Sequence, residues 1–339
     1  MPGGDLVGLH RRISDAGHRV RLVPRYRTGV DPLRHDSIDR PVIVVLAAVP
    51  MGDVGGGSRC TQLTLEFLRR GFHVIYVALF GSHESVDLGL RFIHPDLEQY
   101  RSSEFDAAVA RDRAPGPGLV VLEVPSPGFE PAVRVFQDAH WRLVYDMVDL
   151  WSDPALGGEW YRQTVEVRYL ETADEVTASA PDLVERAQDL GADAVLVPNA
   201  VNAAVFSAEP GPLPTDFPPG DGPVFGYHGS LYGDWFNWDE LREVAVGHPS
   251  ARIILIGDVP ATHPVMPSNV HFLGLKPQGS LPDYLARFDV GLLPFVVSPT
   301  THAVSPLKVF EYLACGVPVA APPLRALSGI TGVVTAERL

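Results

Sequence analysis

Two doubly wound, Rossmann-like α/β halves facing a cleft are what this chain of 339 residues predicts. Three observations carry the prediction. Apolar runs of strand length alternate with helical patterns along most of the chain, the signature of a parallel sheet covered on both faces. Residues 207–223, SAEPGPLPTDFPPGDGP, hold six prolines and three glycines, and this run cuts the alternation in two. The length also exceeds what one hydrophobic core comfortably serves.

Residues 1–40 are rich in Arg and Asp with weak periodicity and form an unassigned lead-in. From Pro41 the pattern turns regular. VIVVLAAV reads as a buried strand and PMGDVGGGS as a glycine-rich loop. Ser58 then caps a helix that runs to about Arg70 and stops at Gly71, and HVIYVAL is the next strand. LVVLEV (119–124), LVYDMV (143–148), EVTAS (175–179) and AVLVP (194–198) continue the series, with helical patterns at 159–172 and 181–190. Residues 41–206 are therefore the first domain and 207–223 a linker rather than a core element. The second domain, 224–339, opens with VFGYHG, followed by a helix capped by Asn237 and Glu240 that ends at Gly247. RIILIG, VHFLG and VGLLPF are strands, with a helix from about Ser280 to Arg287 between the last two, and VPVAA is the final strand. Ligands of such folds bind at the carboxyl ends of the strands, here in the cleft between the two sheets.

Bulk composition excludes several classes. With 46% hydrophobic and 20% charged residues the chain is an ordinary soluble protein. A formal net charge of −14 argues against a nucleic-acid partner. The first forty residues, with eight Arg against five Asp, could still supply weak peripheral membrane contact. Two cysteines, Cys60 and Cys315, make neither a disulfide framework nor a zinc cluster. No signal peptide opens the chain, and no apolar run is long enough to span a bilayer, so a cytoplasmic location is expected. The GGGS loop lacks G-x-G-x-x-G spacing and no acid ends the following strand, which counts against a dinucleotide. Ser-His-Asp spacing, a His-x-x-x-His pair and GxxxxGK[ST] are also missing.

The chemistry concentrates in VSPLKVFEYLACGVPVAAP. Lys276 and Lys308 are the only lysines among 27 basic residues. Ser305 suits an N-cap and Pro306 the first helical position. Leu307, Phe310 and Leu313/Ala314 recur at helical spacing, and Gly316 with Pro318 ends the element. That arrangement leaves the Leu307 and Lys308 amides unpaired at the positive end of the helix dipole, with the ammonium leaning toward the same spot, an anion site. The plainer alternative is an exposed i,i+3 pair of Lys308 with Glu311.

Together with GYHGSLYGDWF, NVHFLG and LVPNAVNAAVF, this segment resembles the GT-B glycosyltransferases, closest to the broad family 4 group, over roughly residues 41–335. The resemblance implies transfer of a sugar from a nucleotide-sugar to a hydroxyl acceptor, without a metal ion or other cofactor. UDP, dTDP or GDP would be the carrier. It implies that Ser305, Leu307 and Lys308 grip the diphosphate and that Glu311 accepts hydrogen bonds from the ribose. Gly257 and the backbone near Lys276 would flank the base, and Gly229 and Ser230 would approach the donor. Gly56, Gly57 and Ser58 would approach the reacting sugar, and Asp149 with Asp146 would face the acceptor.

Departures from that pattern matter. Ala303 stands where many members carry a second Glu, and the Arg and Lys common after the first strand of the donor domain are missing from HGSLYGDWFNW. Lys308 would carry most of the diphosphate charge alone. Relatives usually continue through further helices, so the second domain is expected to be incomplete at its C-terminus. Asp146 and Asp149 read either as a carboxylate pair or as strand-end caps. His228 reads as a packing residue or a ligand, and Trp235 and Trp238 as domain packing. A retaining, metal-independent glycosyltransferase is the expected function. A nucleotide-sugar epimerase and a catalytically silent GT-B scaffold are the alternatives.

Overall fold

The computed structural model describes residues 21–22, 40–82, 84, 88–113, 116–206 and 209–339. The lead-in expected over 1–40 falls almost wholly outside the described residues. Within it Arg21–Leu22 pairs antiparallel with Phe92–Ile93.

The first domain is built from β1 (Val42–Ala47), α1 (Arg59–Arg69), β2 (His73–Ala78), β3 (Leu97–Arg101), α2 (Ala107–Asp112), β4 (Gly118–Leu122), α3 (Glu130–Asp138), β5 (Arg142–Met147), α4 (Gln163–Thr172), β6 (Glu175–Ala178), α5 (Pro181–Asp189) and β7 (Val195–Leu196). Its seven strands lie in the order β3-β2-β1-β4-β5-β6-β7. All are parallel. β1 sits centrally and every one of its residues is buried, because helices cover both faces of the sheet. The short helix α6 (Ala203–Phe206) leads out of this domain.

The second domain contains β8 (Val224–His228), α7 (Trp238–Gly247), β9 (Arg252–Ile256), β10 (Val270–Gly274), α8 (Leu281–Leu285), β11 (Val290–Leu292), the single turn α9 (Pro299–His302), α10 (Leu307–Ala314), β12 (Val319–Ala321) and β13 (Val333–Thr335). Its six parallel strands run in the order β10-β9-β8-β11-β12-β13. In both sheets the order reverses beside the first strand, and this switch point opens the crevice in which such folds bind ligands.

Several readings needed correction. The AVLVP run yields only the two exposed residues of β7, an edge with one neighbour. β3, α2, α3 and β13 carried no sequence signal that was read. Of β3, LEQYR, only Leu97 is buried, so no apolar run marks it. The linker is no free spacer. Phe217 is buried in the second core, and Arg252 donates to the carbonyls of Pro218 and Gly222 at 2.8 and 3.1 Å. Lys276 and Tyr284 both hold Asp216, each at 2.7 Å. Prolines and glycines shape this run, but its single aromatic ring and its backbone acceptors dock it on the second domain.

The two domains touch along one side of the cleft. Thr300 bonds Asp153, and Arg325 pairs with Asp182 and Glu185 across the boundary. Ala303, next to α9, packs into the core of the first domain. Among the described residues no helix is long and apolar enough to cross a membrane.

Candidate functional site

The ends of β8 and β9 and the start of α10 meet at one point. Gly229 follows β8 with φ +126°, and a Cβ there would sit 2.9 Å from Lys308 Cε. A Cβ on Gly257, which follows β9, would lie 2.0 Å from the Gly229 carbonyl oxygen. Only glycine lets the two strand ends and the lysine stem approach this closely. Lys308 Nζ stands 5.4 Å from the Tyr227 ring centre and 4.9 Å from that of Phe295, within cation–π range. Burial lowers the Lys308 ammonium to about 8, and the negative charge of Glu311 opposes that shift. The two form no ion pair within 4 Å, so the exposed i,i+3 pair is not what the fold makes.

The start of α10 differs from expectation. Pro306, not Ser305, is the N-cap, with ψ 107° and no side-chain capping bond. Ser305 Oγ instead accepts the Asn199 amide at 3.1 Å, and Asn199 Nδ2 donates to the Ser305 carbonyl at 2.6 Å. Ser305 is thus a domain-crossing anchor. The Leu307 and Lys308 amides stand in the first turn, where a helix supplies no acceptor.

One turn on, Glu311 is buried. Its Oε1 accepts Gln278 Nε2 at 3.0 Å, and its Oε2 lies 3.3 Å from His228 Nε2. Burial pushes the carboxyl up to about 7, opposed by the Gln278 bond and by Lys308. His228 is lowered to about 3 by burial first and by the Lys308 charge second, so it is a neutral imidazole. Its backbone amide donates to Tyr312 Oη at 3.0 Å, and the two rings meet edge to face at 4.9 Å. His228 thus packs, with Nε2 buried beside Glu311. Trp238 packs against Phe236 and His263.

Beside this cluster lies a cavity of about 210 Å³ between the domains, lined by Gly229, Ser230, Gly257 and Lys276 from one side and Asp53, Val54 and Glu84 from the other. A Cβ on Gly55 (φ +62°) would come within 2.4 Å of the Lys276 carbonyl, so the glycine-rich loop presses on the second domain's backbone. Lys276 turns its ammonium away, to Asp216. Gly57 fits against the Gln278 side chain, and Ser58 Oγ caps α1 by accepting the Thr61 amide at 3.4 Å.

The two carboxylates expected to face the acceptor separate. Asp146 is buried and held by Arg59, Nε to Oδ2 at 2.8 Å and Nη2 to Oδ1 at 3.1 Å, with Thr177 Oγ1 at 2.7 Å. Its oxygens are committed to the domain interior. Asp149, at the mouth of the sheet, is raised to about 7 by burial. Glu123, after β4, was missed. It is buried and raised to about 8 by burial and by the nearby Asp146. Its place at the end of the apolar run LVVLE was the available signal. Gln62 and Gln278 were missed too, for neutral amides in loops and helices carry no spacing signature.

These features define the class: two facing Rossmann-like domains with a cleft between them are the GT-B architecture. Residues 222–338 match the family model of Glycosyl transferases group 1. A putative teichuronic acid biosynthesis glycosyltransferase of Bacillus subtilis is 29% identical over 206 residues, 55% of this chain and 52% of the relative. The chain therefore spans about half the length of that curated relative. Among solved structures, sucrose-phosphate synthase from Thermosynechococcus elongatus superposes with TM-score 0.60 at 16% identity, over 85% of this chain and 83% of that one. Anabaena HepE in complex with UDP and glucose superposes with TM-score 0.58 at 14% identity, over 87% and 86%.

Proposed function

We propose that the protein is a glycosyltransferase that moves a sugar from a nucleotide-diphosphate sugar to a hydroxyl acceptor, with retention and without a metal ion. The carrying observation is Lys308, stretched over Gly229 beside an uncapped helix start, with Glu311 buried one turn further on. A departing diphosphate needs positive potential fixed in advance. Two backbone amides, the helix dipole and one ammonium in a dry cleft supply it. Glu311 takes the ribose hydroxyls, and the cavity by Gly257 and Lys276 takes the base. Residues 224–339 then hold the donor, 41–206 the acceptor, and Asp149 orients the acceptor hydroxyl. The bond from the anomeric carbon to the diphosphate breaks as the acceptor oxygen attacks. Its proton passes to a leaving phosphate oxygen, so no strong base is required.

A thermal-shift panel of UDP, dTDP and GDP tests the reading, since a ligand of the folded state raises apparent stability. Stabilisation by none of them would remove it. Consumption of the matched sugar nucleotide only with an acceptor distinguishes transfer from epimerisation. Activity should survive EDTA. Loss on chelation with recovery in Mg²⁺ or Mn²⁺ would overturn metal independence.

Binding should also depend on pH in a defined way. Lys308 loses its proton as pH rises through about 8, which weakens diphosphate binding. Glu311 gains one as pH falls through about 7, which weakens ribose binding. Calorimetry should therefore show a minimum in Kd between these values, with net proton uptake on the alkaline side. A Kd flat from pH 6 to 9 would contradict both assignments.

A further inference from the structure

Four side chains form a single file of hydrogen bonds across the cleft. Asn202 Nδ2 donates to Gln62 Oε1 at 2.8 Å, Gln62 Nε2 to Gln278 Oε1 at 2.9 Å, and Gln278 Nε2 to Glu311 Oε1 at 3.0 Å. Gln62 Nε2 also reaches the Gly56 carbonyl at 2.8 Å. Gln62 lies on α1 of the first domain, whereas Gln278 and Glu311 belong to the second. The direction of the file is set from one end. Glu311 Oε1 is an acceptor, so Gln278 turns its NH₂ to Glu311 and its carbonyl to Gln62, and Gln62 repeats the choice toward Asn202. Aligned donors polarise one another, and the chain terminates on the charge it favours.

We infer that Gln278 and Gln62 are positioning residues that orient Glu311 only while the two domains are closed, so that closure and nucleotide binding form one equilibrium. The inference rests on the reading of Glu311 as the ribose acceptor. Gln278 is 7% exposed and Glu311 5%, so neither has water to replace a lost partner. Opening the cleft parts Gln62 from Gln278, and without that partner the Gln278 amide is no longer held toward Glu311 Oε1. The net gain of the Gln62–Gln278 bond favours the closed form. In the other direction, ribose hydroxyls on Glu311 keep it ionised and strengthen its bond to Gln278. Coupling of this kind is reciprocal, so a residue of the first domain must influence affinity for a ligand seated on the second. Gly57 leaves space for the relay, because a Cβ there would lie 3.3 Å from Gln278 Nε2.

The test uses the full chain with Gln62→Met, Gln278→Met and both together, changes that keep side-chain length and remove the hydrogen bonds. UDP, dTDP and GDP are the calorimetric probes, with melting temperature as the folding control. For whichever probe binds the wild type, each single variant should raise Kd about fivefold to tenfold. The double variant should be no weaker than Gln278→Met alone, because the relay is already cut. A wild-type Kd in Gln62→Met, or single effects that multiply, overturns the relay and leaves the donor site standing. Should no probe bind the wild type, the donor-site reading fails instead, and hydrogen exchange without ligand then decides the closure contact. Faster exchange of the Gly56–Gln62 amides in Gln278→Met supports it, and unchanged exchange overturns it.

Discussion

Lys308→Ala is expected to lower kcat by about 10²–10³, the effect of deleting one preorganised group that stabilises transition-state charge, roughly 3–4 kcal/mol. The ammonium is the only lysine charge at the cleft, since Lys276 spends its own on Asp216. Lys308→Arg should restore little. The stem passes within contact distance of Gly229 and the charge sits between the Tyr227 and Phe295 rings, so a planar fork does not fit where a compact ammonium does. Lys276→Ala should cost only a few-fold, because its ion pair is partly exposed. Nucleotide release from a matched donor and acceptor is the measurement, with melting temperature as control. Near-normal turnover in a folded Lys308→Ala would end the anion-site reading of α10.

Arg59→Ala should act on stability instead, lowering it by about 3–5 kcal/mol through a buried carboxylate left with too few partners. Asp146 is 2% exposed and depends on two guanidinium bonds and Thr177. Arg59 also donates to Asn199 Oδ1 at 2.9 Å, and Asn199 grips Ser305, so the loss should propagate to the domain contact. Denaturant unfolding of the first domain is the readout. Asp146→Asn placed in the Arg59→Ala background should recover part of the loss, because the neutral amide is cheaper to bury alone. If Arg59→Ala leaves the midpoint unchanged, the pair is not structural and Asp146 returns as an acceptor candidate.

Lys308 and Asp146 show what local sequence rules reach and where they stop. Lys308 was legible because its segment combines local rules: a proline at a helix start, apolar spacing of three and four, a glycine stop and an almost unique ammonium. Asp146 stayed open between two readings because its strand, LVYDMV, tells which face a side chain takes but not what lies across that face. Arg59 is 87 positions away from it. Gln62 and Gln278 were invisible for the same reason, being 216 positions apart. Ser305 was legible as a helix-start residue, yet competition from Asn199 gave its hydroxyl another partner.

The sequence by itself determined the two doubly wound sheets, the strand-to-helix alternation, the glycine turns and the location of the charged helix start. All of these follow from period, propensity and backbone freedom within a few residues. Only the tertiary structure decided which carboxyls are committed to ion pairs, which are pushed toward neutrality by burial, and how Glu311 is joined to the opposite domain. Desolvation and hydrogen-bond satisfaction depend on groups brought together from distant parts of the chain, and no local pattern records them.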